Sequence, residues 1–154
     1  MSIVHPTLII GSDHAGFSLK EYLVGQLQLT HTVVDLGCPN EASVDYPGIS
    51  SALASGVLKN INSALGILLC GSGNGVCMSA NRFRGIRAAL CWNVEIATLA
   101  RLHNNANVLC LPARFLGQED AWNIVQAFLQ TPFEGGRHLR RIELIDSVNS
   151  IEGP

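Results

Sequence analysis

The sequence predicts an α/β protein built around one parallel sheet of five strands. Short runs of apolar and β-branched residues alternate along the chain with stretches of helical character, and the strand runs are apolar throughout. Such alternation is typical of right-handed βαβ units, and continuously apolar strands indicate that helices cover both faces of the sheet. Hydrophobic residues make up 47% of the 154 residues, enough for one sizeable core, so we expect a single domain over residues 1–154.

The elements are predicted in chain order from these runs. The first run is a strand, the apolar stripe from Phe17 to Leu27 indicates a helix, and Gly37 stops the next strand. Repeating this reading gives strands at 8–10, 32–36, 64–69, 86–91 and 107–111, and helices at 17–29, 49–58, 94–103 and 119–129. Composition does not encode strand order, and we expect a three-layer, flavodoxin/Rossmann-like sheet of order 2-1-3-4-5. The segment 134–141 breaks the alternation, and a helix over 142–148 is predicted to form a C-terminal arm.

Composition excludes several classes of protein. Disorder requires low hydrophobicity with high net charge, the opposite of what this chain has. The longest apolar runs, such as 67–70, are far shorter than the ~18 residues of a membrane span. A net charge of −2 without a basic stripe interleaved with aromatic residues argues against nucleic acid. Charged residues are only 14% of the chain, which hints that another subunit covers part of the surface.

The cysteines indicate a reducing compartment. They are five in number, an odd count, and form no CxxC pair. That usage favours free thiols over a disulfide framework or a zinc site, and no secretory signal is visible, so we expect a cytoplasmic protein. Asp13-His14 alone is too little for a metal site, and we expect neither a metal nor a cofactor.

Candidate site residues follow the predicted strands. In open α/β sheets, ligands bind at the carboxyl ends of the strands. There the sequence has 11–16 after the first strand, 70–75 after the third and Arg114 just after the fifth, and the helix after the fourth strand ends in His103-Asn104. We expect these polar groups to meet at one edge of the sheet.

The glycine loop at 71–75 is not a nucleotide-binding motif. Gly71, Gly73 and Gly75 do not form GxGxxG because position 76 is valine, and 11–16 is not a Walker A loop because Phe17 follows it. Two interpretations stay open, a plain strand-to-helix turn and a loop whose backbone N–H groups cradle an anion at a helix N-terminus.

Cys70 differs from the other cysteines because it directly precedes this loop. There a helix dipole and free N–H groups favour the thiolate, which could act as a nucleophile or as a general base. We interpret the remaining thiols as small buried apolar groups; they are Cys38, Cys77, Cys91 and Cys110.

Histidines and arginines divide into site candidates and solvated residues. His14 and His103 are expected at the site edge, whereas His5 and His31 are expected in solvent. A basic cluster comprises Arg137, His138, Arg140 and Arg141. It is either a solvated face or a site for a small phosphorylated metabolite, since the arginine fork matches phosphate oxygens.

Seven segments in register carry a family resemblance that covers essentially the whole chain. They are GSDHAGF at 11–17, DYP at 45–47, CGSGNG at 70–75, ANR at 80–82, GIRA at 85–88, HNNAN at 103–107 and EGGRH at 134–138. With these segments the chain resembles the type B ribose-5-phosphate isomerases, within a wider group that includes galactose-6-phosphate isomerase subunits. The resemblance implies a metal-independent aldose–ketose isomerase of flavodoxin-like fold in the non-oxidative pentose phosphate pathway. It also implies a homodimer, in some members a dimer of dimers, with shared active sites.

The resemblance further implies roles for individual residues. Cys70 would move a proton between C2 and C1 through a cis-enediolate, with backbone donors from Gly71 to Gly75 and a hydroxyl-proton shuttle at Ser72. His103 would open the furanose ring, assisted by Asp13. The groups that would hold the phosphorylated sugar are Tyr46 and Asn104 at the sugar and His14, Arg114, Arg137 and Arg141 at the phosphate.

The chain departs from the family pattern at a few positions. Some members have Glu after the third loop glycine and lack the cysteine; here Val76 stands there and Cys70 is present, which favours Cys70 as the base. Pro112 could change the direction of Arg114, and Arg140 is an additional charge expected in solvent. The alternatives left open are an isomerase of allose or galactose 6-phosphate, an inactive phosphosugar-binding relative, and a cysteine-nucleophile hydrolase.

Overall fold

The sheet has five strands, all parallel. The structure is a computed structural model that describes residues 5–148, so both ends of the expected 1–154 domain, 1–4 and 149–154, lie outside the described residues. The strands are β1 (Thr7–Ser12), β2 (Val33–Asp35), β3 (Ala64–Cys70), β4 (Ala88–Leu90) and β5 (Val108–Pro112). Their order is β2-β1-β3-β5-β4, with every neighbouring pair parallel.

The predicted order 2-1-3-4-5 is wrong at one end of the sheet. β5, not β4, pairs with β3, with Cys70 opposite Pro112, and β4 is the edge strand. Burial explains the exchange: every residue of β5 is buried, whereas the three residues of β4 are only partly buried. A short, half-covered strand suits an edge, and a fully apolar one gains more from the centre.

Helices follow the strands as predicted, with three differences. They are α1 (Phe17–Leu27), α2 (Tyr46–Lys59), α3 (Asn74–Ala80), α4 (Val94–Asn104), α5 (Gln118–Gln130) and α6 (Arg137–Ser147). α2 begins three residues earlier than predicted, with Pro47 in its first turn, where a missing N–H costs nothing. α3, expected only as a helix start behind the glycine loop, is a helix of seven residues. α6 begins five residues before the predicted 142, directly after Gly136.

The core lies on both sides of the sheet, which confirms the three-layer architecture. On one face Leu69 and Leu111 pack with α1, α4 and α5, where Phe128 is fully buried. On the other face Leu68 and Val108 pack with α2 and α3. Successive strand residues point to opposite faces, so strands apolar at every position supply both halves of the core.

A buried lysine joins α1 to the edge strand β2. The Lys20 side chain is 1% exposed, and its Nζ donates to Asp35 Oδ2 and to Glu21 Oε1, each at 2.7 Å. Burial lowers the pKa of Lys20, but the hydrogen bonds to Asp35 and Glu21 more than offset this, so its pKa lies above the usual value. The ammonium thus ties a three-residue strand to the domain.

Within residues 5–148, no helix combines the length and apolar character needed to cross a membrane.

Candidate active site

An open cavity of about 460 Å³ lies at the carboxyl ends of β1, β3 and β5. Eight of the predicted site residues line it, together with Ala15, Ser43, Val44 and Asp45; the eight are Asp13, His14, Tyr46, Cys70, Gly71, Ser72, Gly75 and Arg114. The expectation that the residues after the first, third and fifth strands meet at one edge is confirmed for seven of these positions, and Tyr46, the first residue of α2, joins them from the segment after β2.

Asp13 shapes the turn that leaves β1. Its Oδ1 accepts hydrogen bonds from the backbone N–H of Ala15 at 2.9 Å and of Gly16 at 3.1 Å, which caps the short 3₁₀ turn His14–Gly16. The residue is buried yet lines the cavity, and within residues 5–148 its Oδ2 accepts no hydrogen bond. One carboxylate oxygen therefore holds the loop while the other remains for a ligand.

His14 has one ring nitrogen committed to the protein. Its Nδ1 accepts a hydrogen bond from the backbone N–H of Val44 at 3.3 Å. A nitrogen that accepts carries no proton, so the neutral ring holds its proton on Nε2. His14 is therefore set up to donate to an acceptor in the cavity.

The glycine loop is crowded from two sides. Gly73 has φ +76°, in the left-handed region that residues other than glycine rarely adopt. A Cβ at Gly75 would lie 2.5 Å from the Tyr46 ring, so only glycine allows this approach. Arg114 lies against Gly71 and donates its backbone N–H to the Gly71 carbonyl at 3.0 Å, which joins the loops after β3 and β5.

A hydroxyl and free N–H groups accompany the loop. Ser72 is exposed in the cavity, and its Oγ accepts from the backbone N–H of Asn74 at 3.3 Å. The Asn74 N–H is occupied by this bond, whereas the N–H of Gly75, the next residue of α3, has no partner within the helix. The loop therefore presents donors and a hydroxyl beside Cys70.

Cys70 is the last residue of β3 and the only cysteine that lines this cavity. Cys91 and Cys110 are fully buried; burial raises the pKa of Cys91 to about 12 and that of Cys110 well above its ordinary value. Cys38 is also buried and Cys77 is half-buried. The interpretation as small buried apolar groups fits Cys38, Cys91 and Cys110. It does not fit Cys77, whose Sγ donates to the Ala88 carbonyl at 3.4 Å and whose pKa is lowered by a hydrogen bond to Cys110.

His103 and Asn104 lie at the opposite end of the strands, so the expectation that they lie at the same edge of the sheet as Cys70 is wrong. α4 starts beyond the carboxyl end of β4 and, over eleven residues or about 16 Å, runs back to the amino edge. There Arg87, which directly precedes β4, donates its Nε to the Asn104 carbonyl at 3.1 Å. The sequence order placed these residues after the fourth strand, but the direction of the helix carries them away.

A second polar cluster surrounds His103. The rings of His103 and His138 stack with centroids 4.3 Å apart and planes at 11°. Glu134 Oε2 lies 3.8 Å from His103 Nε2 and 3.6 Å from His138 Nε2, and Arg137 Nε donates to His138 Nε2 at 3.4 Å. Burial, His103 and Arg137 lower the pKa of His138. Arg137 and Arg141, one turn apart on α6, belong to this cluster and not to the Cys70 cavity.

The sequence reasoning did not single out Glu134, and it considered His138 only as a member of the basic cluster that could bind phosphate. Both stand in the EGGRH segment, and their spacing of four residues, bridging the start of α6, was the signal available. Within the described part of the chain, His103, Glu134 and His138 are also the one group with three potential metal-ligand atoms, all within 4.8 Å. They do not fit a metal centre, because Arg137 occupies His138 Nε2 and lone pairs of parallel stacked rings do not converge.

The fold and the cavity define a class: a doubly wound α/β protein with a candidate small-ligand site at the carboxyl ends of its strands. Residues 8–145 match the model of the Ribose/Galactose Isomerase family. The chain belongs to this family, which confirms the resemblance drawn from its motifs.

Individual relatives are similar over nearly their whole length. A probable ribose-5-phosphate isomerase B of Mycoplasma genitalium is 48% identical over 141 residues, 90% of this chain and 92% of the relative. The crystal structure of a ribose 5-phosphate isomerase from Thermotoga maritima has 51% identity and a TM-score of 0.90, covering 94% and 99% of the two chains. A Mycoplasma genitalium ribose-5-phosphate isomerase B with bound ribulose-5-phosphate has 46% identity and a TM-score of 0.88, covering 91% and 93%.

Proposed function

We propose that this chain is a ribose-5-phosphate isomerase that interconverts D-ribose 5-phosphate and D-ribulose 5-phosphate without a metal. The observation that carries the proposal is Cys70, at the end of β3, in a cavity it shares with a hydroxyl and a glycine loop. Family membership and a relative with bound ribulose-5-phosphate support the same conclusion.

Cys70 is the proposed base for the proton transfer. The thiolate removes the proton from C2 of the open-chain aldose, the C–H electrons form the C1–C2 double bond, and the carbonyl electrons move to O1 as a cis-enediolate. Backbone N–H groups of Gly71, Gly73 and Gly75 are the proposed donors to the developing negative charge, and such donors are typically worth a few kcal/mol. Ser72 moves the hydroxyl proton between O2 and O1, and the proton on Cys70 returns to C1 to give the ketose.

Ring opening precedes this step and needs a second acid–base group. Ribose 5-phosphate is mainly a furanose, which opens when a proton leaves the C1 hydroxyl and another reaches the ring oxygen. The proposed group is His103. Because His103 lies at the amino edge and Cys70 at the carboxyl edge, a single chain does not bring both to one sugar.

We therefore propose a homodimer in which one protomer supplies Cys70 and its partner supplies the second cluster. Large apolar side chains exposed on α6 support a subunit contact there; they are Leu139, Leu144 and Ile145, each about half exposed. Several large exposed apolar side chains on one short helix are typical of an interface. Dimers of dimers remain compatible with this arrangement.

The remaining site residues are proposed to hold the sugar phosphate. From one protomer, Asp13 Oδ2 accepts from a sugar hydroxyl, Tyr46 forms a wall, and His14 and Arg114 donate to phosphate. The partner would add Asn104 at the hydroxyls and Arg137 and Arg141 at the phosphate. Arginine forks pair two N–H groups with two phosphate oxygens, which anchors the substrate far from the reacting carbons.

A cytoplasmic location and a place in the non-oxidative pentose phosphate pathway complete the proposal. The location is supported by the five cysteines, all free thiols, which a reducing compartment maintains.

The test is isomerisation of ribose 5-phosphate in D₂O without added metal, followed by NMR. Wild-type protein is expected to form ribulose 5-phosphate with deuterium uptake, Cys70→Ala to lose both while still binding the sugar phosphate, and Cys77→Ala, outside the cavity, to retain both. If the protein turned over allose 6-phosphate or galactose 6-phosphate and not ribose 5-phosphate, the proposed substrate would be a hexose phosphate and not a pentose phosphate. Binding without turnover by the wild type would identify a phosphosugar-binding relative.

A further inference from the structure

We propose that Glu134 and His138 are positioning residues that hold the His103 ring for furanose opening. This inference rests on the proposed function, since it concerns the residue assigned to ring opening. It assigns a task to two side chains that the proton transfer at Cys70 does not use.

Three contacts fix the cluster around His103. The His138 ring covers one face of the His103 ring at 4.3 Å and 11°, which restricts rotation of His103 about its last side-chain torsion. His138 is itself buried, 6% exposed, and receives the Arg137 Nε–H on Nε2 at 3.4 Å. The ring that packs against His103 is thus itself held in place by Arg137.

Glu134 is tied to the helix that carries His103. Its backbone N–H donates to the Leu102 carbonyl at 3.0 Å, directly before His103, at the end of α4. Its carboxylate lies 3.8 Å from His103 Nε2. When His103 takes up the C1 hydroxyl proton, the carboxylate balances the positive charge that forms on the ring, and it releases that stabilisation when the proton moves to the ring oxygen.

The same cluster links phosphate binding to ring opening. Arg137, a proposed phosphate ligand, is adjacent to His138 in sequence and in space, so the anchor of the substrate and the guide of the acid–base group form one unit. A bound phosphate would fix Arg137, and through it the stack on His103. Positioning of this kind acts on ring opening and not on the enediolate chemistry, which takes place at the residues of the other protomer.

A pair of assays separates the two steps. Ribose 5-phosphate must open before it can isomerise, whereas ribulose 5-phosphate is acyclic because its C5 oxygen carries the phosphate and cannot close a furanose. Conversion of ribose 5-phosphate therefore reports ring opening plus proton transfer, and deuterium exchange at C1 of ribulose 5-phosphate reports proton transfer alone.

Glu134→Gln and His138→Ala are the test variants, in the full-length protein. Each is expected to lower kcat for ribose 5-phosphate roughly 10- to 100-fold, less than the 10²–10⁴ typical of an acid–base group itself, with KM and C1 exchange near wild type. His138→Phe, which keeps a planar ring for the stack, is expected to recover most of the rate lost in His138→Ala. Arg140→Gln, an exposed change on the same helix, is the matched control.

Three results would overturn the proposal. If conversion of ribose 5-phosphate and deuterium exchange at C1 of ribulose 5-phosphate fell together, Glu134 and His138 would support the fold or substrate binding in general. Unchanged turnover in both variants, or His138→Phe as slow as His138→Ala, would remove the positioning role. Failure of the isomerase assignment looks different, because the wild-type protein would then neither convert ribose 5-phosphate nor exchange C1 of ribulose 5-phosphate.

Discussion

Cys70 and His103 lie at opposite edges of one sheet: Cys70 ends β3 at the carboxyl edge, and His103 stands at the end of α4, beside the amino edge. Both are proposed to act on the same sugar. Because the fold separates them by the length of a helix, the proposed site needs residues from a second copy of the chain, and this leads to a quantitative prediction.

Mixing two inactive variants is expected to restore activity. Cys70→Ala and His103→Ala are each expected to abolish turnover of ribose 5-phosphate. After unfolding and refolding together in equal amounts, half of the dimers are mixed, and one of two sites in each mixed dimer has both residues, so about a quarter of wild-type activity should return. The measurement is turnover against mixing ratio. If activity stays at the level of the separate variants, each site is built from one chain.

The sequence predicted every strand-end residue of the first cluster and, of the second, His103, Asn104, Arg137 and Arg141, but neither the role of Glu134 nor the separation of the two clusters. Residues that directly follow a strand, such as His14 and Cys70, were correctly assigned to the carboxyl edge, because a strand end fixes where the next residue starts. His103 is separated from its strand by almost the whole of α4. The position of such a residue depends on the direction in which the helix runs, which the sequence does not show. The prediction of strand order was wrong for a related reason. The pairing of β5 with β3 depends on how deeply β5 is buried compared with β4, and the sequence of either strand alone does not show this.

Gly75→Ala is expected to reduce kcat/KM at least tenfold. The added Cβ would lie 2.5 Å from the Tyr46 ring, so either the ring or the loop beside Cys70 must move. Combining it with Tyr46→Ala should restore the loop position and yield less than the additive loss. Gly25→Ala is the matched control, since its Cβ would meet no atom within 4 Å and should leave activity unchanged. A double variant as impaired as the sum of both losses would contradict the steric explanation.

The raised pKa of Lys20 leads us to expect that the free energy of unfolding falls at alkaline pH. Its folded pKa is raised above the ordinary 10.5, so the ion pairs to Asp35 and Glu21 stabilise the native state fully below that value, and this contribution disappears as pH rises through the higher folded pKa. Denaturant unfolding between about pH 8 and pH 12 should show a decline that is smaller in Lys20→Met. The variant should also be less stable at pH 8, because it leaves Asp35 without its partner. Equal alkaline slopes in both proteins would exclude Lys20 as the source.

Alkylation should distinguish Cys70 from the thiols of the core. Cys70 is only 5% exposed but reaches the open cavity, whereas Cys91 and Cys110 are fully buried and burial raises the pKa of Cys91 to about 12. The thiolate is the reactive form, so raising the pH from 7.5 to 9 does not expose Cys91 to reaction. Iodoacetamide is therefore expected to modify Cys70 in the native protein, to abolish turnover in step with that modification, and to spare Cys91 and Cys110 at both pH values. Mass spectrometry of peptides identifies the sites, and ribose 5-phosphate should slow only the reaction at Cys70. Inactivation that follows labelling of another cysteine, with Cys70 intact, would remove Cys70 from the proton transfer.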